Sequence, residues 1–124
     1  MYRESLPKSC PPEDSEEIVA SRAVYRFVRT NPPREEDFHS QRAAKPTTSF
    51  GVDECRARGL SVFSDLDTCL KYKKLPNFKN RMVCCVRLDE GAGRIQRWGS
   101  EPAHHTWWPL AAYNILASCS IEEL

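Results

Sequence analysis

With 124 residues the chain is long enough to bury one hydrophobic core without metal or disulfide staples, and short enough to be a single domain. Its 18 Lys and Arg against 17 Asp and Glu leave a net charge of +1, so bulk charge gives no argument for nucleic acid or an anionic membrane; a basic patch has to be local. No run approaches the roughly 18 apolar residues of a membrane-crossing helix, and Met1 to Lys8 lacks the apolar core of a signal peptide, so a cytoplasmic protein that uses no membrane is expected.

Residues 1–20 combine Pro7, Pro11 and Pro12 with the acids Glu13, Asp14, Glu16 and Glu17, and read as a flexible arm ahead of one domain over 21–124. Residues 23–29 (AVYRFVR) are rich in β-branched and aromatic side chains and stop at Asn31-Pro32-Pro33, which predicts the first strand with Arg26 on the face opposite Tyr25 and Phe27. Pro33 followed by Glu35, Glu36 and Asp37 suits the positive end of a helix over 33–44. A loop over 45–52 leads to a helical turn over 53–58 that Gly59 terminates, and Leu60-Ser61-Val62-Phe63 reads as a short strand. Ser64 with Asp67 resembles a capping box before a second helix over 65–75, in which Leu66, Cys69 and Leu70 share one face.

The alternation of Met82, Cys84, Val86 and Leu88 makes 81–88 a central strand. After the turn Asp89 to Gly93, residues 94–98 return as a half-exposed strand, the His-His-Thr-Trp-Trp cluster is a loop leading into a further strand, and after a turn over 110–114 residues 115–121 form the last strand. The expected fold is α+β, a twisted and mainly antiparallel sheet with two helices packed on it. Without a secretion signal the six cysteines are expected to be free thiols, and no C-x-x-C spacing supports a structural metal.

The densest chemistry lies in Ala103 to Pro109, where His104, His105, Thr106, Trp107 and Trp108 supply ring nitrogens, a hydroxyl and two indoles. Such a set can hold a base, a nicotinamide or a partner's side chain. In a strand, His104 and His105 point in opposite directions, so only one can serve a given ligand. His39 is expected on the surface of the first helix. Lys71, Lys73, Lys74, Lys79 and Arg81 form a basic segment interleaved with Tyr72 and Phe78, the best local case for nucleic acid. Each feature also has a plain structural explanation: a surface ion pair for Arg26, a turn hydrogen bond for His105, core packing for the tryptophans, a solvated helix end for the lysines.

The blocks Tyr25-Arg26-Phe27-Val28-Arg29, Gly59-Leu60-Ser61-Val62-Phe63 and His105-Thr106-Trp107 in this order resemble a group of small bacterial proteins of no established activity. An arginine on an opening strand, followed by a Gly-hydrophobic-Ser strand that runs into a helix, is also similar to the layout of ADP-ribosyltransferase-like domains. That resemblance implies NAD as the ligand. It gives Arg26 the role of holding NAD and Ser61 that of contacting its ribose, and it asks for a later polar residue, often Glu. Glu101, Glu122, Glu123 and His105 are open to that third role. The expected catalytic set is therefore Arg26, Ser61 and His105, with Trp107, Trp108, Thr106 and His104 binding the ligand and a macromolecule as acceptor. The alternative is a non-catalytic module that contacts a protein partner or nucleic acid.

Overall fold

A computed structural model describes residues 1–123. Seven antiparallel strands form one sheet: β1 (Glu16–Glu17), β2 (Arg22–Val28), β3 (Leu60–Phe63), β4 (Met82–Leu88), β5 (Gly93–Arg97), β6 (His104–Pro109) and β7 (Cys119–Ile121). Their order across the sheet is β1-β5-β6-β3-β2-β4-β7. Three short helices, α1 (Gln41–Ala44), α2 (Glu54–Ala57) and α3 (Leu66–Lys73), complete an α+β fold that is mostly sheet.

Alternation along the strands builds two apolar surfaces. Val24 and Val28 of β2, Val62 of β3, Cys84, Val86 and Leu88 of β4, Ile95 of β5 and Trp107 of β6 meet on one face, closed by Ile18, Phe38 and Ile115. Tyr25, Phe27, Phe63 and Val83 meet on the other, beneath Leu66, Cys69 and Tyr72 of α3. Asp65 starts α3 by accepting from the Thr68 backbone N–H, one position later than Ser64, the cap read from sequence.

The sheet is uneven at its centre. β2 and β4 pair over seven residues, from Arg22 with Leu88 to Val28 with Met82. β2 and β3 share a single register pair, Tyr25 with Phe63, and part where both strands continue toward Arg26 and Ser61. Arg26 fills the gap with its side chain: Nη1 donates to the Ser61 carbonyl at 2.7 Å, in place of a ladder hydrogen bond.

Three expectations are corrected. The helix over 33–44 is broken into a 3-10 turn at Glu35–Phe38 and α1, with His39 extended between them. Asp37 holds that turn: its carboxylate accepts from the Arg29 and Arg34 backbone N–H groups and from the Thr30 hydroxyl. Burial acts to raise the Asp37 pKa, but these hydrogen bonds outweigh it and hold the group below its ordinary 3.8. The break drives Phe38 into the core at 0% exposure and lets Ser40 cap α1. Residues 1–20 are docked rather than a free arm. β1 pairs with β5, Ile18 and Ser15 are buried, Tyr2 bridges to Leu110, and the Ser40 hydroxyl donates to Glu4. Finally, Cys10 and Cys55 form a disulfide, while Cys69, Cys84, Cys85 and Cys119 are free.

Candidate functional site

The parting of β2 from β3 opens a cleft of about 750 Å³, lined by Phe27, Phe63 and Tyr72 from the α3 layer and by Arg26, His39 and Ser40 from the segment before α1. Its floor is set by register. Ser61 pairs with Thr106 and Phe63 with His104, so these four side chains share one face. The Ser61 hydroxyl lies 2.7 Å from His104 Nε2, and His104 Nδ1 lies 2.7 Å from the Trp98 carbonyl. A carbonyl only accepts, so Nδ1 carries the proton and Nε2 is the acceptor for the Ser61 O–H. The hydroxyl is thereby oriented by a base that is itself fixed by backbone.

Arg26 stands at the mouth of the split. Its Nε donates to the Asp37 carbonyl at 3.0 Å and its Nη2 to the His39 carbonyl at 3.3 Å, in addition to the bond to Ser61. The guanidinium carbon lies 5.9 Å from the Phe38 ring centroid. Among the described residues no carboxylate reaches it as an ion pair. Burial pulls its pKa down to about 10, which still leaves a full cation at neutral pH. Three of five N–H groups are used, and two remain for a ligand. The Asp37 and Glu4 carboxylates favour the cation at longer range, so its burial is offset by three carbonyls and by charges that do not touch it.

The walls are aromatic and basic. At one end Phe27 and Phe78 stand 4.6 Å apart between centroids and Phe63 lies 5.6 Å from Tyr72, with His104 edge-on to Phe63 at 5.5 Å. At the other end Trp98 and Arg56 line the cleft. Arg29, Lys45 and Arg81 add positive charge, and Glu101 is the one carboxylate among the described lining residues. A chain of near-zero net charge thus concentrates cations at its cleft.

Of the residues singled out by sequence, the structure brings Arg26, Ser61, His104 and Thr106 together. His105 is corrected. It points to the opposite face, pairs with Val62 and Arg97, and bonds through Nδ1 to the Ala103 carbonyl at 2.9 Å. Burial is the main cause that lowers its pKa, with Arg22, His104 and Arg97 adding to it against the Ala103 bond. Trp107 and Trp108 are also corrected as ligand contacts, being 0% and 1% exposed, with indole N–H groups donating to the Ala92 and Cys55 carbonyls. Trp98, read only as the end of a half-exposed strand, is the indole left 42% exposed. His39 is exposed, as expected, and sits on the cleft rim. Lys71, Lys74 and Lys79 are exposed and Lys73 half-buried, beside the Tyr72 and Phe78 end of the cleft that Arg81 lines.

Sequence reasoning missed Arg56 and Trp98, and named Tyr72 and Phe78 of the aromatic wall only as part of the basic segment. The signal that could have favoured His104 over His105 was the strand alternation itself, once β6 was paired with β3. Compared with known protein families, curated proteins and solved structures, the chain matches none.

Proposed function

We propose that the cleft binds NAD or a related nucleotide and that the domain is an ADP-ribosyltransferase-like enzyme that modifies a macromolecule. The observation that carries this reading is Arg26, a cation without a carboxylate partner, at the point where the arginine strand and the serine strand part. The sequence resemblance asks those two strands to meet at one ligand, and β2 and β3 are adjacent in the sheet. A pyrophosphate suits the free N–H groups of Arg26 and the flanking arginines, and flat rings suit the aromatic walls at either end.

In the proposed transfer the bond from ribose to nicotinamide breaks, nicotinamide leaves as the neutral base with the bonding pair, a bond from the same carbon to an acceptor nucleophile forms, and the acceptor's proton passes to a carboxylate or to water. Ser61, held by His104, contacts the ribose hydroxyls, while Glu101 is the carboxylate available at the cleft. The alternative of a partner-binding module has less support, because the two indoles that would anchor a partner are buried. The Cys10–Cys55 bridge favours an oxidising compartment over the cytoplasm as the working location.

The test is a titration of the isotope-labelled protein with NAD, followed on backbone amide and indole resonances. Saturable shifts at Arg26, Ser61 and His104, weakened about tenfold or more in Arg26→Gln, are expected. No shift at millimolar NAD ends the transferase reading and leaves the lysine segment, tested with single-stranded RNA, as the surface to pursue.

A further inference from the structure

Resting on that reading, we infer that Trp98 and Arg56 form a base-stacking subsite for the adenine end of the nucleotide, at the end of the cleft opposite the Phe27 and Phe78 wall.

Two of the three tryptophans do structural work in the core, whereas Trp98 keeps 42% of its surface exposed inside a concave site. An indole left half in water is unfavourable for folding and useful for binding a flat ring. Its position is fixed by backbone on both sides: the Trp98 N–H donates to the His104 carbonyl at 3.0 Å, and the Trp98 carbonyl accepts from His104 Nδ1. The same histidine holds Ser61, so the exposed indole and the serine hydroxyl are tied to one residue. Gly99, with φ of +90°, then turns the chain away from the ring.

Arg56 supplies a second, independent observation. Its guanidinium carbon lies 4.0 Å from the Trp98 centroid and 5.1 Å from the Trp108 centroid, a cation held between two indoles. Gln96 Oε1 accepts from Nη2, but Nη1 is buried and has no hydrogen-bond partner. Leaving a buried guanidinium N–H unpaired is unfavourable for the fold, and that cost falls on the side chain that packs against the Trp98 ring. The neighbouring acids do not pair with it, since Asp14 accepts from Gln96 and Asp53 caps α2. Local packing keeps Arg56 there. Trp108 Nε1 bonds the Cys55 carbonyl at 2.9 Å, and a Cβ on Gly59 would come within 2.3 Å of Thr106 Cγ2, so only glycine lets the α2 segment lie this close to β6.

The strand order then sorts the ligand: its charged centre near Arg26, one ring on the phenylalanine wall at β2, the other on Trp98 at the end of β5.

The experiment measures dissociation constants of AMP, nicotinamide mononucleotide, ribose 5-phosphate and NAD for the whole chain, by indole resonances and tryptophan fluorescence. Trp98→Ala is expected to weaken AMP and NAD by about tenfold or more, with Trp98→Phe restoring most of the loss and ribose 5-phosphate unaffected. Arg56→Gln is expected to weaken AMP in the same direction. Thermal unfolding of each variant verifies the fold, and Trp98→Phe reports on stacking should Trp98→Ala unfold. NAD binding that is insensitive to Trp98 overturns the subsite while leaving the function reading intact. Loss of nicotinamide mononucleotide rather than AMP overturns the assignment of ends. AMP that binds wild type through Trp98 while NAD does not supports the subsite and refutes the NAD reading, and failure of AMP to bind wild type refutes the subsite.

Discussion

Replacing both bridged cysteines, Cys10→Ser with Cys55→Ser, is expected to cost this domain much of its stability without changing its fold. The bridge joins positions 45 apart and pins the N-terminal segment to α2. For a closed loop of that length the chain-entropy relation gives about 4 kcal/mol at 25 °C, because the bridged unfolded chain has fewer conformations to lose. An unfolding entropy of about 2.1 cal/mol/K per residue over 124 residues converts this to a fall in Tm of roughly 15 °C. The contacts that dock the segment remain in the variant: the pairing of β1 with β5, the burial of Ile18, and the bonds from Arg94 to Ser15. The assay is thermal unfolding by circular dichroism, with and without dithiothreitol. Reductant should lower the wild-type Tm by the same amount and leave the double variant unchanged. The denatured, unreduced chain should titrate four thiols, matching Cys69, Cys84, Cys85 and Cys119. Six thiols, or a Tm loss below about 3 °C, would refute the argument that the bridge constrains the unfolded state.

Other outcomes follow from particular positions. Gly93→Ala should cost more than about 3 kcal/mol in urea unfolding, because φ is +117° and the new Cβ would stand 2.1 Å from the Trp108 carbonyl oxygen, a backbone atom that cannot move aside. Gly91→Ala, at φ +87° but with open space around it, should cost only about 1–2 kcal/mol, and equal costs at the two sites would contradict this. Trp107→Ala should lose about 3–5 kcal/mol, since the ring is fully buried, while Trp107→Phe should lose less, because the Ala92 carbonyl that the indole satisfies keeps the Leu110 N–H as a donor. His105, whose pKa is lowered in the folded state, lets the unfolded chain bind the extra proton first. Stability should therefore be unaffected above the ordinary value of 6.5 and fall as the pH drops below it, a slope that His105→Asn removes. A pH profile unchanged by that substitution would show that another group carries the acid sensitivity. Asp37 acts in a separate, lower window: its depressed pKa gives stability that is present above its ordinary 3.8 and lost as the pH falls through the folded value.

Much of the fold was legible because it rests on local alternation. Residues 23–29, 60–63 and 81–88 read as strands from β-branched and aromatic content and alternation, within one residue of the observed β2, β3 and β4, and α3 follows from the spacing of Leu66, Cys69 and Leu70. Cys84 in the core and Cys85 on the opposite face follow from the same period. Local composition misled where side chains act at a distance. The acids after Pro33 suggest a helix dipole, yet Asp37 is spent on the Arg29 and Arg34 backbone and on Thr30, and burial of Phe38 breaks the helix at His39. The acidic arm looks solvated until two of its residues, Glu16 and Glu17, complete the edge of β5 by backbone hydrogen bonds that need no apolar side chain.

What the sequence by itself determined is the α+β class and the strands that carry Arg26 and Ser61, since these depend on patterns of neighbours along the chain, whereas the choice of those two residues came from a resemblance. What only the tertiary structure decided is which histidine joins them. The pairing of β3 with β6 places Ser61 and His104 on one face and His105 on the other, a one-residue distinction that register alone can make. The Cys10–Cys55 partnership, the exposure of Trp98 rather than of Trp107 or Trp108, and the gap that Arg26 fills were likewise settled by contacts between segments far apart in sequence, where burial and register, not local propensity, carry the energy.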